Sequence, residues 1–205
     1  MSAENIKAKA LKCIDEVFPY ADTPNRPYFP IEDFIDEAVR FVVDVVPVHA
    51  LGRGNIIQSI ESIAISEDGV GTICLSDSLQ GRIIYFKVGD WKRAVTSAIP
   101  ETHPRYNQQS NRVLRGTPSR PIVALTKGST AIEFYSTRLT EDEDWRDEET
   151  LDVRYMPYDA DNIPPKLIDL TAWKLAEVVL LSISDSTAAS VCTARVNELL
   201  EQLAI

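Results

Sequence analysis

The chain has 205 residues, with 21 Lys+Arg against 31 Asp+Glu and a formal net charge of −10. That length suits one domain, or one domain with an insertion, and 44% apolar with 25% charged residues excludes global disorder. The acid surplus argues against a free-standing DNA binder, which needs excess Lys and Arg to neutralise phosphate.

The chain opens on a helix. Over residues 3–18, Ile6, Ala10, Cys13, Ile14 and Val17 share one face, while Lys7, Lys9, Lys12 and Glu16 fall mostly elsewhere. The same charges interrupt any apolar core of a secretory signal, so none is expected. Pro19, Pro24, Pro27 and Pro30 then block regular helix. Residues 31–46 resume it, with Phe34, Ile35, Ala38, Val42 and Val45 at helical spacing. Glu32, Asp33, Asp36 and Glu37 crowd the first turns, where the helix dipole favours negative charge. Pro47 and the LGRGN segment end this helix.

The middle of the chain changes period. SIESIAIS at 59–66, VGTICLS at 70–76 and RIIYFKV at 82–88 are short, β-rich and separated by turn formers, which predicts an antiparallel meander. A short helix is expected around Asp90–Ile99, followed by a long proline-bearing loop over 100–120. RPIVALTKGSTAIEFYS reads as a hairpin turning at Lys127-Gly128, and TLDVRYMPY as one further strand. About six short strands predict a small sheet, sandwich or partial barrel.

Helix returns at the end. Pro164 and Pro165 sit where a first helical turn accepts proline, and IDLTAWKLAEVVLLSI behind them is apolar almost all round, which implies burial on several sides. The chain can break at Ser184–Ser186. Ala188, Val191, Cys192, Val196, Leu199 and Leu203 then form a second stripe. The expected class is α+β: a helical bundle from the two chain ends (1–55 and 160–205), with a small antiparallel β module (56–159) inserted between them. No stretch approaches the ~18 apolar residues of a membrane span.

Catalytic and metal chemistry find little support. His49 and His103 are the two histidines, and neither accompanies a nucleophile elbow. A capping or packing role suits each better, and a hydrolase built on either ranks last. Cys13, Cys74 and Cys192 form no CxxC pair; Cys13 and Cys192 fall on apolar helix faces and Cys74 in a strand, where a thiol behaves as a small hydrophobe. No His or Cys falls at zinc spacing, and the acidic run EDEDWRDEE lacks the glycine and ordered oxygens of an EF-hand. LGRGN lacks the continuation of a phosphate-binding loop. No cofactor or metal is expected.

One contrast stands out. Arg105, Arg112, Arg115, Arg120 and Lys127 follow one another with no acid between them, and then come Glu141, Asp142, Glu143, Asp144, Asp147, Glu148 and Glu149 around the single Arg146. A long polar loop such as HPRYNQQSNRVLRGTPSRP is uncommon in a compact domain unless it contacts something. Two uses suit its guanidinium groups: a DNA-backbone contact, or docking on the acids of a neighbouring copy.

YFPIEDFIDEAVRFVVDVVPVHAL, QSNRVLRGTPSRPIVAL and IPPKLIDLTAWKLAEVVLLSISDSTAA, in that order along most of the chain, resemble neck proteins of tailed bacteriophages, most narrowly the head-to-tail adaptor, or ring, proteins of crAss-like phages. The resemblance rests on pattern rather than on a catalytic motif. It implies a non-enzymatic structural protein in the virion neck, assembled in the host bacterial cytoplasm. There it would form a homo-oligomeric ring, of twelve copies, with portal protein on one side and tail or further neck rings on the other. Double-stranded DNA would pass through the ring without sequence-specific contact. A homomeric ring needs heterologous contacts, and an acidic wall repels phosphate so that DNA slides. The alternative, from another class, is a monomeric nucleic-acid-binding module using the basic 105–127 segment.

Overall fold

A computed structural model describes residues 2–17, 28–89, 91–111, 113–135 and 151–204. The chain divides into two compact units: residues 1–52 with 157–205, and residues 53–156.

The first unit is helical. α1 (Ser2–Val17) and α2 (Ile31–Val45) come from the N-terminal part, α5 (Ile168–Ser182) and α6 (Ser186–Leu203) from the C-terminal part, and a single helical turn, α3 (Val48–Leu51), follows Pro47. α5 is the centre. Leu170, Ala172, Leu175, Ala176, Val179 and Leu180 are all buried on it, because α1, α2 and α6 pack around it. Burial of that kind is what an all-round apolar helix requires. α1 contributes Ile6, Ala10, Cys13 and Ile14 to the same core.

Local chemistry sets the boundaries of these helices. Pro165–Leu167 forms a 3-10 turn that leads into α5. Ser184 adopts φ 65°, which reverses the chain, and the Asp185 carboxylate then accepts the Ala188 N–H at 3.0 Å to cap α6. Lys7 joins α1 to α2 through Glu32 at 2.6 Å, and Lys9 joins α1 to α5 through Asp169. Two expected core positions face outward: Val45 is 49% and Val191 51% exposed. On α2 the buried stripe runs through Val39 and Val43 instead, one turn position round from the predicted one.

Among the described residues the second unit holds eight strands in two sheets. A three-stranded sheet has the order β1 (Asn55–Ile56), β8 (Leu151–Pro157), β4 (Gly81–Val88). A five-stranded sheet has the order β2 (Ile60–Ile65), β3 (Val70–Leu75), β7 (Ala131–Tyr135), β6 (Val123–Thr126), β5 (Ile99–Pro100). β2–β3, β3–β7 and β6–β7 are antiparallel, while the two-residue β5 runs parallel to β6. Ile73 of β3 faces Ile132 of β7 in register. The predicted hairpin at Lys127-Gly128 is present, with Lys127, Gly128 and Ser129 all at positive φ.

The predicted meander is only half there. β2 and β3 pair, but β4 leaves for the other sheet and β7 takes the place beside β3. Core packing decides this. Phe86 of β4, Trp91 and Phe134 of β7 stack with ring centroids 5.4 Å apart for Phe86–Trp91 and for Phe86–Phe134, and 6.3 Å apart for Trp91–Phe134. The aromatic cluster therefore joins the two sheets, with Ile73, Ile83, Val123, Ile132 and Val153 around it. The helix expected around Asp90–Ile99 is also absent from its described residues. Val95 instead exchanges two backbone hydrogen bonds with Phe86, each 2.8 Å, and Ile99 enters β5.

Candidate functional site

The described residues of the basic segment form a strap built by local capping. His103 Nδ1 accepts the Arg105 N–H at 3.1 Å, Pro104 occupies the first turn, and the short helix α4 (Pro104–Asn107) follows. A 3-10 turn over Gln108–Ser110 continues it. Gln109, 5% exposed, donates from Nε2 to the Arg105 carbonyl at 2.6 Å and accepts the Gly116 N–H on Oε1 at 2.8 Å. The strap is tied to the five-stranded sheet as well: the Tyr106 hydroxyl donates to Glu133 on β7 at 3.2 Å. Gly116 sits so close to Ile122 and Tyr135 that a Cβ there would lie about 3.0–3.1 Å from them.

The predicted basic residues do not act as one patch. Arg105 is exposed, and its side chain lines a cleft of about 280 Å³ together with Arg93, Thr96, Ser97, Ile99 and Val123. Arg115 is half-buried and donates to the Asp68 carbonyl in the β2–β3 turn, so it braces the strap. Arg120 is exposed in a tight turn, its N–H bonded to the Thr117 carbonyl at 2.9 Å. Lys127 lies at the far end of β6 from the cleft, and its backbone N–H is held by the Glu101 carboxylate. Arg112 lies outside the described residues, and so do Glu141, Asp142, Glu143, Asp144, Asp147, Glu148 and Glu149.

What the sequence reading missed is Arg93. It fell in a stretch assigned to helix, outside the 105–127 window, yet β5 and the Val95–Phe86 bridge bring it beside Arg105. Among the described residues neither guanidinium has a carboxylate partner, and no Asp or Glu lines the cleft. A lining that holds Arg93, Arg105, Thr96 and Ser97 without an acid suits an oxyanion, carboxylate or phosphate.

The strap also displays an apolar tip. Val113 is 88% and Leu114 57% exposed, although their backbone is fixed. The Val113 N–H bonds Asn111 Oδ1 at 2.9 Å, and the Leu114 and Arg115 N–H groups bond the Asn111 carbonyl at 3.0 and 2.9 Å. An apolar pair held out in water on a hydrogen-bonded turn is a feature of contact surfaces rather than of cores.

The remaining candidates for chemistry are occupied structurally. His49 Nε2 lies 3.2 Å from the Leu203 carbonyl, and His103 caps α4. Burial pushes the Cys13 and Cys192 thiols up to about 12, so neither is a thiolate near neutral pH. Burial and then Glu133 raise Tyr135 and Tyr106. Among the described residues no group of three or more His, Cys, Asp or Glu is arranged to hold a metal ion, and no helix is long and apolar enough to cross a membrane. Compared with models of known protein families and with characterised proteins, the chain matches none.

Proposed function

We propose that this chain is a structural protein of the phage neck. Copies assemble into a ring that connects portal to tail and continues the DNA channel, with the strap at the subunit contact. The observation that carries the reading is the strap itself: a hydrogen-bonded, cationic segment with an exposed apolar tip. Gln109 ties its backbone through a buried hydrogen bond to Gly116, while Arg105, Arg120, Val113 and Leu114 face solvent. Preorganised apolar and arginine side chains are what a repeated protein contact uses. The resemblance in pattern to adaptor proteins of crAss-like phages points the same way, and the net charge of −10 suits a channel that does not hold DNA.

Light scattering and two-dimensional class averages of the purified chain, alone and with portal protein, test the reading. A ring supports it; a strict monomer in both samples overturns it. A second reading is a monomeric nucleic-acid-binding module using the basic 105–127 segment. That reading requires duplex affinity that falls with salt and with Arg105→Ala.

A further inference from the structure

The Arg93–Arg105 cleft is a concave site lined by two arginines, and its position says what size of group it takes. Its walls come from the loop before β5 and from the Pro121–Val123 entry to β6, and Arg105 of α4 also lines it. A volume of about 280 Å³ admits one or two acidic side chains and their backbone. Thr96 and Ser97 can donate to the carboxylate oxygens that the guanidiniums leave free. Neither arginine has an internal acidic partner among the described residues, so binding would displace no ion pair.

Charge selects between the two oxyanion sources. Duplex DNA is held by many phosphate contacts at once, and its affinity scales with their number. Here the neighbouring exposed cations are Lys92, Arg93, Arg105 and Arg120, too few to hold a duplex against a chain of net charge −10. An acidic peptide needs only the cleft. The chain carries such a peptide, seven acids in nine residues from Glu141 to Glu149 with Arg146 among them.

We infer that the Arg93–Arg105 cleft is a carboxylate-peptide site, and that its occupant is the 141–149 segment of a second copy of this chain. The inference rests on the ring reading and gives its contact a chemical identity: two guanidiniums against a run of carboxylates, closed head to tail so that each copy gives one and receives one.

A charge swap tests it. R93E/R105E makes the cleft acidic, and E143K/D144K/E148K/E149K makes the segment basic; circular dichroism and melting check that each variant folds. The expected result is that the unchanged chain oligomerises, each variant alone does not, and an equimolar mixture recovers the oligomer, because each variant's segment now fits the other's cleft. An R93E/R105E chain that oligomerises like the unchanged one overturns the inference and leaves the ring reading standing. Loss in both variants without recovery on mixing also overturns it, since the segment then serves its own chain or the cleft serves phosphate. A second arm reads the cleft without assembly: a synthetic peptide of residues 140–150 binds the unchanged chain at low salt, with affinity at least tenfold weaker for R93E/R105E. Equal peptide binding, or loss of duplex DNA binding with peptide binding intact, overturns the inference. A monomeric unchanged chain overturns the ring reading separately.

Discussion

The side-chain carbonyl of Gln109 accepts the backbone N–H of Gly116 at 2.8 Å, closing the strap on itself while the same amide group donates to Arg105. One buried side chain thereby links the Arg105 carbonyl of α4 to the Gly116 N–H. Replacing it by Leu, similar in bulk but unable to hydrogen-bond, strands both groups. Gln109→Leu is expected to destabilise the second unit by about 1–3 kcal/mol, read in a urea titration, and to raise hydrogen exchange at Gly116 in particular.

The Val113–Leu114 tip should behave in the opposite way. Both side chains are mostly in water, so V113D/L114D should leave the melting temperature within the small range of ordinary surface changes. The same variant should lose the oligomer in light scattering. A full-sized oligomer from the variant would remove the tip from the contact.

Gly71 tolerates no side chain. It faces Phe134 across the β3–β7 ladder, and a Cβ built on it would lie 2.2 Å from the ring's Cζ and within 2.6 Å of two more ring atoms. The ring cannot retreat, because Phe86 and Trp91 stack against it. Gly71→Ala should cost roughly 3 kcal/mol, the upper part of the overpacking range, against a far smaller change for Gly128→Asn, where nothing lies within 4 Å and φ 64°, ψ 35° is the left-handed region that Asn accepts.

In the helical unit, Lys174 and Glu177 form a shielded pair at 3.0 Å, with side chains 15% and 10% exposed. The Lys174 ammonium also lies 4.2 Å from the Phe41 ring centroid. Glu177 Oε2 is buried without a hydrogen-bond partner. Removing Lys174 alone leaves a buried carboxylate uncompensated, so Lys174→Met should destabilise by about 3 kcal/mol or more. The double variant K174M/E177L should recover most of that loss. A double variant as unstable as the single one would show that lost packing, not the stranded charge, is the cause.

The two buried thiols give a pH signature. Burial raises Cys13 and Cys192 from 9.0 to about 12. Between those values the unfolded chain releases protons that the folded chain retains, so the unfolded state gains from each rise in pH. Stability is therefore unaffected by these groups below about pH 9, falls from there towards pH 12, and levels off above. Melting temperatures of C13A/C192A should decline less over that range than those of the unchanged chain.

Much of the fold was legible because local chemistry and packing agree. The all-round apolar 168–182 stretch could only be a helix wrapped by others, and α5 is that helix. Lys127-Gly128 could only turn, and it does. The errors arose where distant residues overrode local signals. WKRAVTSA carries helical spacing, yet Val95 bonds Phe86 instead, because the aromatic cluster holds β4 close to that stretch. The meander failed for the same reason: periodicity places residues on a face but does not name the neighbouring strand. The basic strap was visible as composition. Its division into a bracing Arg115, a distant Lys127 and a cleft-lining Arg105 was not, and Arg93 joins that cleft only through the β5–β6 pairing.

The order of strands and helices along the chain also sets a schedule. β3 waits for β7, and α1 and α2 wait for α5, which begins only at Ile168. A ribosome that has made two thirds of this chain has made neither core complete. Pairings separated so widely in sequence form slowly, and the last helices to emerge are those that close the first unit. The second unit needs only residues up to Met156, so its two sheets can form while the helices that close the first unit are still to come.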